Sequence, residues 1–369
     1  TPPDGRSRQR HLAIGDPQAD ITRFLAVLDR HGLLGEDGRL RPDVQLVSVG
    51  DHFDWGKAHE RDAVATSALQ LLAWMALHPA DQAVLLLGNH DLGRVGELAH
   101  FTDARFAAAQ VEADRIYQGG DVDEAGERDF LARHPEIPNV ELVARDFGTF
   151  REEQRQWVTH LLRTRRFRVA HVASERMIVL HAGVTREDLN AVGLPESRHA
   201  HAPSVEEALN GALDAAVDAW TQGPFHIPEL YRPGDAAYGE GRGIFYQRPS
   251  LSPEDVHHRD ATPRRRFDPR RLPLGLTQVV GHTRDKRCRE LLTLPLGTTH
   301  DGVLRHLVTD GTTVHYQLGE PRDGGPDQAV LLFTDGGMRE SPLESFQMLD
   351  LDTRAPARPM PSSQPERAP

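Results

Sequence analysis

The chain has 369 residues, 38% of them apolar and about 47% once the 32 glycines are counted, which is a globular composition long enough for one domain with insertions or two ordinary domains. A net charge of −12 gives no general attraction to nucleic acid or anionic lipid, and no apolar run approaches the roughly 18 residues of a membrane span. The single cysteine, Cys288, excludes an internal disulfide framework and suits a reducing, cytoplasmic setting.

In chain order, "TPPDGRSRQR" (1–10) has no apolar core behind its arginines and reads as a flexible N-terminus. Five short apolar runs follow, each ending in Gly or His beside a polar residue: "HLAIGD" (11–16), "VQLVSVGD" (44–51), "AVLLLGNHD" (83–91), "MIVLHAG" (177–183) and "LTQVVGHT" (276–283). Such runs, rich in Val and Leu and flanked by glycine, predict buried strands. Between them, Ile21, Phe24, Leu25 and Leu28 are spaced as one helix face, with Asp20 to cap and Gly32 to terminate. Val64, Ala68, Leu71 and Met75 repeat the spacing within 60–77, and the pairs Thr149/Glu152 and Ser204/Glu207 predict capping boxes for helices near 150–163 and 205–220. Residues 100–147 predict a partly helical insertion. "GVLRHLVTDGTTVHYQL" (302–318) and "DQAVLLFTDGG" (327–337) predict strands around Asp-Gly turns. One domain over 11–340 is expected, with a disordered Pro-rich tail over 352–369. Strand alternating with helix makes the class α/β.

In open α/β sheets ligands bind outside the carboxyl ends of the strands, and that is where all five runs deliver Asp, Asp, Asn, His and His. Carboxylate, amide oxygen and imidazole without thiolate suit borderline divalent ions such as manganese, iron or zinc. A shared carboxylate would give a two-metal hydrolytic centre. His52, His78, His100, His257 and His258 stand off the motifs and are expected on the surface or in loops, whereas Trp74 and Trp157 fall on apolar helix faces.

"GDPQ", "GDHFDWG", "GNHD", "LHAG" and "GH" followed by Thr resemble, in order and spacing, the calcineurin-like metallophosphoesterases, nearest their phosphoprotein phosphatase branch. The resemblance implies a four-layer αββα sandwich with a dinuclear site at the strand ends. It implies that Asp16 and Gln18 hold one ion, that Asp51 bridges, and that Asn89, His181 and His282 complete the second. It makes His90 the general acid, Asp54 its orienting carboxylate, and Arg242 in "EGRGIFYQRP" the phosphate-gripping guanidinium. The implied cofactor is two divalent ions, manganese favoured. The implied reaction is hydrolysis of a phosphoester, in protein or small molecule, by a metal-bridging hydroxide, as in protein serine/threonine phosphatases. A nucleotide or dinucleoside polyphosphate hydrolase, using the basic residues at 264–271, is the alternative. A non-catalytic regulatory protein of the same fold is the rival of another class. Three positions depart from the pattern: Gln18 replaces a histidine, Trp55 replaces an arginine, and Arg284 stands where many relatives carry a second histidine. Amide oxygen is a weaker donor than imidazole, so the two ions are expected to be held unequally.

Overall fold

The computed structural model describes residues 9–54, 57–252, 265–319 and 324–359. Trp55, His257, His258, Arg264 and the tail from 360 onward therefore lie outside the described residues. All five expected runs form strands: Arg10–Ile14, Val44–Ser48, Ala83–Leu86, Met177–Leu180 and Thr277–Val280.

Two sheets form. In the first, Arg10–Ile14, Val44–Ser48, Ala83–Leu86 and Phe167–Arg168 run parallel, with Leu349–Asp350 antiparallel on the outer edge. In the second, Ala329–Phe333, Thr277–Val280 and Met177–Leu180 run parallel, while Val314–Leu318, Arg305–Thr309 and Ala170–Ser174 add antiparallel edges. Alternation along each strand sorts the side chains. Ala13, Val47, Val84 and Leu86 meet Met177, Val179, Val279 and Leu332 in a core between the sheets. Leu12, Ile14, Leu46 and Leu85 turn outward to Phe24, Val27, Leu28, Leu71, Leu72 and Met75 of the helices Ile21–Arg30 and Arg61–Ala76. On the far side, Ile178, Leu180, Leu331 and Phe333 share a cluster with Val205, Leu209 and Leu213 of the helix Ala202–Ala219. Helix, sheet, sheet and helix make the four layers, each apolar face covered by the next. Among the described residues no helix is long and apolar enough to cross a membrane.

Asp20 caps the first helix by accepting from Arg23 N at 2.9 Å, and Gly32 beyond its end takes φ +62°. The other two capping expectations need correction. The helix Glu152–Arg163 starts after Arg151, whose N–H donates to Gln154 Oε1 at 3.2 Å, while the Thr149 hydroxyl donates to Asp54 instead of capping. The helix Ala202–Ala219 starts earlier than expected, capped by His201 with a proline in its first turn. The insertion holds helices Asp103–Ile116 and Glu124–Arg133 and a π-turn at Leu142–Asp146, gathered around their own core of Phe101, Phe106, Phe130, Val143, Phe147 and Phe150.

The expected ends also shift. Arg10 already belongs to the first strand. At the other end, Asp350 Oδ1 accepts from Asp352 N and Thr353 N, turning the chain so that Ala357 N reaches Met348 O at 2.8 Å and Ala357 is buried. Proline content masked an ordered return along a sheet edge, where a missing N–H costs little.

Candidate metal centre and catalytic cleft

Five of the six expected ligands stand just past the carboxyl end of a central strand, Asp16, Asp51, Asn89, His181 and His282, and Gln18 follows two residues after Asp16. The turns that deliver them are costly. Gln18 (φ 47°), Asp51 (56°), Asp54 (58°) and His282 (61°) all sit in the left-handed region, uncommon for residues with a β carbon and concentrated at functional sites.

The polar atoms are arranged as a cation would require. Ligating atoms of Asp51, His181 and His282 lie within 4.8 Å of one another. His181 Nδ1 is 2.9 Å from the Val49 carbonyl, which can only accept, so Nδ1 carries the proton. His181 Nε2 lies 3.1 Å from Asn89 Oδ1 and 3.6 Å from Asp51 Oδ1, so imidazole, amide oxygen and carboxylate meet at one point. His282 Nε2, Asp16 Oδ1 and Gln18 Oε1 are buried with no hydrogen-bond partner, a condition that buried polar atoms rarely tolerate. The residues present thus fit divalent ions. Burial, reinforced by Asp335 and then Asp51, holds the Asp16 carboxyl well above the usual carboxylate range. Burial, reinforced by Arg248 and His181, holds His282 well below the usual imidazole value, keeping the neutral form that metal binding needs. Asp335, buried after the strand Ala329–Phe333, is a third carboxylate here that the sequence reading missed because it passed for a turn residue.

Backbone approach sets the spacing. A β carbon at Gly281 would lie 1.9 Å from Asp16 Oδ1, and one at Gly88 would lie 2.1 Å from Asp51 Oδ1. Buried Asp91 fixes the Asp51 turn by accepting from Gly88 N, Asp51 N and His52 N at 2.8, 3.1 and 3.0 Å. It also pairs with His52 Nδ1 at 3.0 Å. His52, expected at the surface, is fully buried as this carboxylate's partner, and His78 is buried where its Nε2 accepts from Leu40 N at 3.0 Å. His100 is exposed as expected, and Trp74 and Trp157 pack partly buried against the main core.

His90 Nδ1 bonds Asp54 Oδ2 at 3.0 Å. Asp54 is itself gripped by the fully buried Arg94, with Nη2 2.8 Å from Oδ1 and Nη1 on Oδ2, and it accepts from Thr149 Oγ1 at 2.6 Å. Burial alone would raise Asp54, but Arg94 and then His90 hold it at about 2. Burial would lower His90, yet the charges of Asp51, Asp54 and Asp146 bring it to about 9. Arg94 was missed in the sequence, although it stands four residues after His90, one turn along the same face. Phe147 from the insertion meets the His90 ring edge-on at 5.3 Å, and the Arg94 guanidinium lies over Phe53.

Asn89 and His90 open into a cleft of about 350 Å³ that the insertion walls with Leu142, Arg145, Asp146 and Phe147. Glu240, Tyr246, Arg248 and Arg287 complete it. Arg242 is absent from this lining. It belongs to a two-residue ribbon with Tyr231–Arg232 and faces a separate cavity, its guanidinium 4.8 Å above Tyr238. Of the two arginines in the "GRGIFYQRP" segment, it is Arg248, six residues on, that lines the cleft, alongside Arg145 and Arg287 from elsewhere.

This sandwich brings hard and borderline donors together at its strand ends with a charged histidine beside them, a donor set of the kind that holds divalent ions. Residues 10–202, just over half of the chain, match the family model described as calcineurin-like phosphoesterase, and the chain belongs to that family. Among solved structures it is similar to a cold-active protein tyrosine phosphatase, at 17% identity over 58% of this chain and 49% of that one, with a TM-score of 0.31. It is also similar to the cold-active protein-tyrosine phosphatase of a psychrophile, Shewanella sp., at 17% identity over 58% and 50%, with a TM-score of 0.32. The chain thus spans about half the length of these structures. No curated protein matches it.

Proposed function

We propose that the chain is a phosphomonoesterase of the phosphoprotein phosphatase type, acting on phosphoserine or phosphothreonine in polypeptides and using two divalent ions, manganese preferred. The observation that carries this reading is the His90–Asp54–Arg94 chain set beside the donor cluster, at the floor of an open cleft. Asp16 and Gln18 would hold one ion, Asn89, His181 and His282 the other, with Asp51 shared. Bound there, the ions supply the nucleophile and neutralise phosphoryl charge. Asp54, fixed by Arg94 and Thr149, keeps the His90 ring charged and oriented with Nε2 available for the leaving-group oxygen, so His90 donates the proton that the departing alkoxide needs. Arg248 takes non-reacting phosphate oxygens with a planar fork that lysine lacks.

The polyphosphate alternative draws on the basic residues at 264–271, and three of these are placed beside carboxylates of the same chain. Arg265 is buried against Glu240 at 2.8 Å, Arg270 pairs with Asp268 at 2.7 Å, and Arg271 lies 3.7 Å from Glu187. A non-catalytic protein would have no use for a buried arginine holding the carboxylate that orients a half-exposed histidine.

The test is turnover of a phosphopeptide against a dinucleoside polyphosphate with manganese supplied, for the wild type and His90→Asn. The reading expects the phosphopeptide to be preferred. It expects the variant to keep its metal content while turnover falls by about 10²–10⁴. Unchanged turnover removes His90 as the acid, and preference for the polyphosphate reverses the substrate assignment.

A further inference from the structure

Arg232 and Arg242 lie directly opposite each other on the antiparallel ribbon of Tyr231–Arg232 and Arg242–Gly243. Like charges in that relation destabilise a ladder. Both guanidinium groups lean on one ring, that of Tyr238, at 5.3 and 4.8 Å. A π face attracts each cation but leaves their mutual repulsion in place. Among the described residues neither arginine has a carboxylate partner, whereas Arg265, Arg284 and Arg289 all do. Tyr238 is 55% exposed, so the ring is presented to solvent with the two cations beside it.

The pair lines a cavity of about 700 Å³ with His226, Glu229 and three prolines. The ribbon is rigidly mounted. Buried Glu97 accepts from Gly234 N at 2.8 Å and from Tyr231 Oη at 3.0 Å, and Gly243 at φ +109° presses so close that a β carbon would lie 2.0 Å from Leu230 O. Two guanidinium forks held in register by such a mount, with no carboxylate paired to either among the described residues, form a preorganised oxyanion site. The same loop turns Glu240 and Tyr246 to the catalytic cleft, so one wall serves both cavities.

We propose that Arg232 and Arg242 form a second oxyanion-binding subsite, outside the metal-centred cleft, for a group of the phosphate class. That group can come from free phosphate or from a second phosphorylated residue on a polypeptide whose first is in the cleft.

The experiment uses the full chain loaded with manganese. Inorganic phosphate is titrated calorimetrically into the wild type and the Arg232→Gln/Arg242→Gln variant, and p-nitrophenyl phosphate hydrolysis is followed in parallel. The wild type is expected to show one more phosphate site than the variant, with hydrolysis of the small ester within about twofold. Equal phosphate stoichiometry and affinity in the two proteins overturns the subsite, whatever the hydrolysis rates show. Should the double variant fold poorly, Arg242→Lys, which keeps the charge and loses the fork, is expected to weaken the extra site about tenfold, and unaltered affinity there overturns the proposal equally. The two sources separate on peptides. A KM about tenfold lower for doubly than for singly phosphorylated peptides, abolished in the variant, assigns a tethered phosphate. An equal KM alongside the calorimetric loss assigns the free ion. Loss of all activity in the wild type with the extra phosphate site intact would remove the phosphatase reading and leave the subsite standing.

Discussion

Replacing Arg94 by Met keeps an unbranched side chain of similar length in a fully buried position and removes the charge that holds Asp54. The guanidinium bonds both Asp54 oxygens, His90 O at 3.0 Å and Gln154 Oε1 at 3.2 Å. Breaking one partner from a buried pair costs about 3–5 kcal/mol, and that is the loss expected near pH 7. Part of it depends on pH. Asp54 is held at about 2 against an ordinary 3.8, worth about 2 kcal/mol. Because the folded value is the lower one, this stability is complete above pH 4 and disappears as the pH falls from 4 towards 2. In the variant Asp54 loses the cation that depressed it and protonates without cost in acid. The gap between the two proteins should therefore narrow on acidification. Equilibrium urea unfolding at pH 7 and pH 3, followed by tryptophan fluorescence, measures it. A gap below about 1 kcal/mol at pH 7, or one of equal size at both pH values, would refute the claim that Arg94 acts through the Asp54 charge.

Asp51→Asn should lose occupancy of both ions together with activity, measured by elemental analysis of the dialysed protein; two retained ions would remove the bridge. Metal titration of the wild type should resolve one tighter and one looser site, and Gln18→His should tighten the looser one, since imidazole is the stronger donor. Arg248→Ala should raise KM for a small phosphoester or lower kcat/KM by at least tenfold, because it loses a charge-assisted fork on the phosphate. Arg242→Ala should leave that value within about twofold, and the reverse order would restore Arg242 to the cleft.

The placement of Asp16, Asp51, Asn89, His181 and His282 at one edge was legible because each follows a strand whose Val and Leu content announces burial. What was illegible depended on pairing across the chain. Thr149 looks like a helix cap until Asp54, 95 residues away, claims its hydroxyl. His52 looks like a loop residue until Asp91 folds back onto it. Arg242 and Arg248 share one segment, and only a ribbon two residues long decides which of them faces the cleft, too short to leave a periodic pattern. The insertion read as half loop because its helices bury their apolar sides on each other rather than on the sheets.

The glycines at 88 and 281 have a bearing on how relatives of this chain should be judged. At each, the space a methyl group would need is already taken by a carboxylate oxygen of Asp51 or Asp16. A descendant could keep every donor residue and still forfeit its chemistry through a single alanine at either place. An inventory of ligands would pass such a protein as active, and only the absence of a side chain at two silent positions would tell it apart.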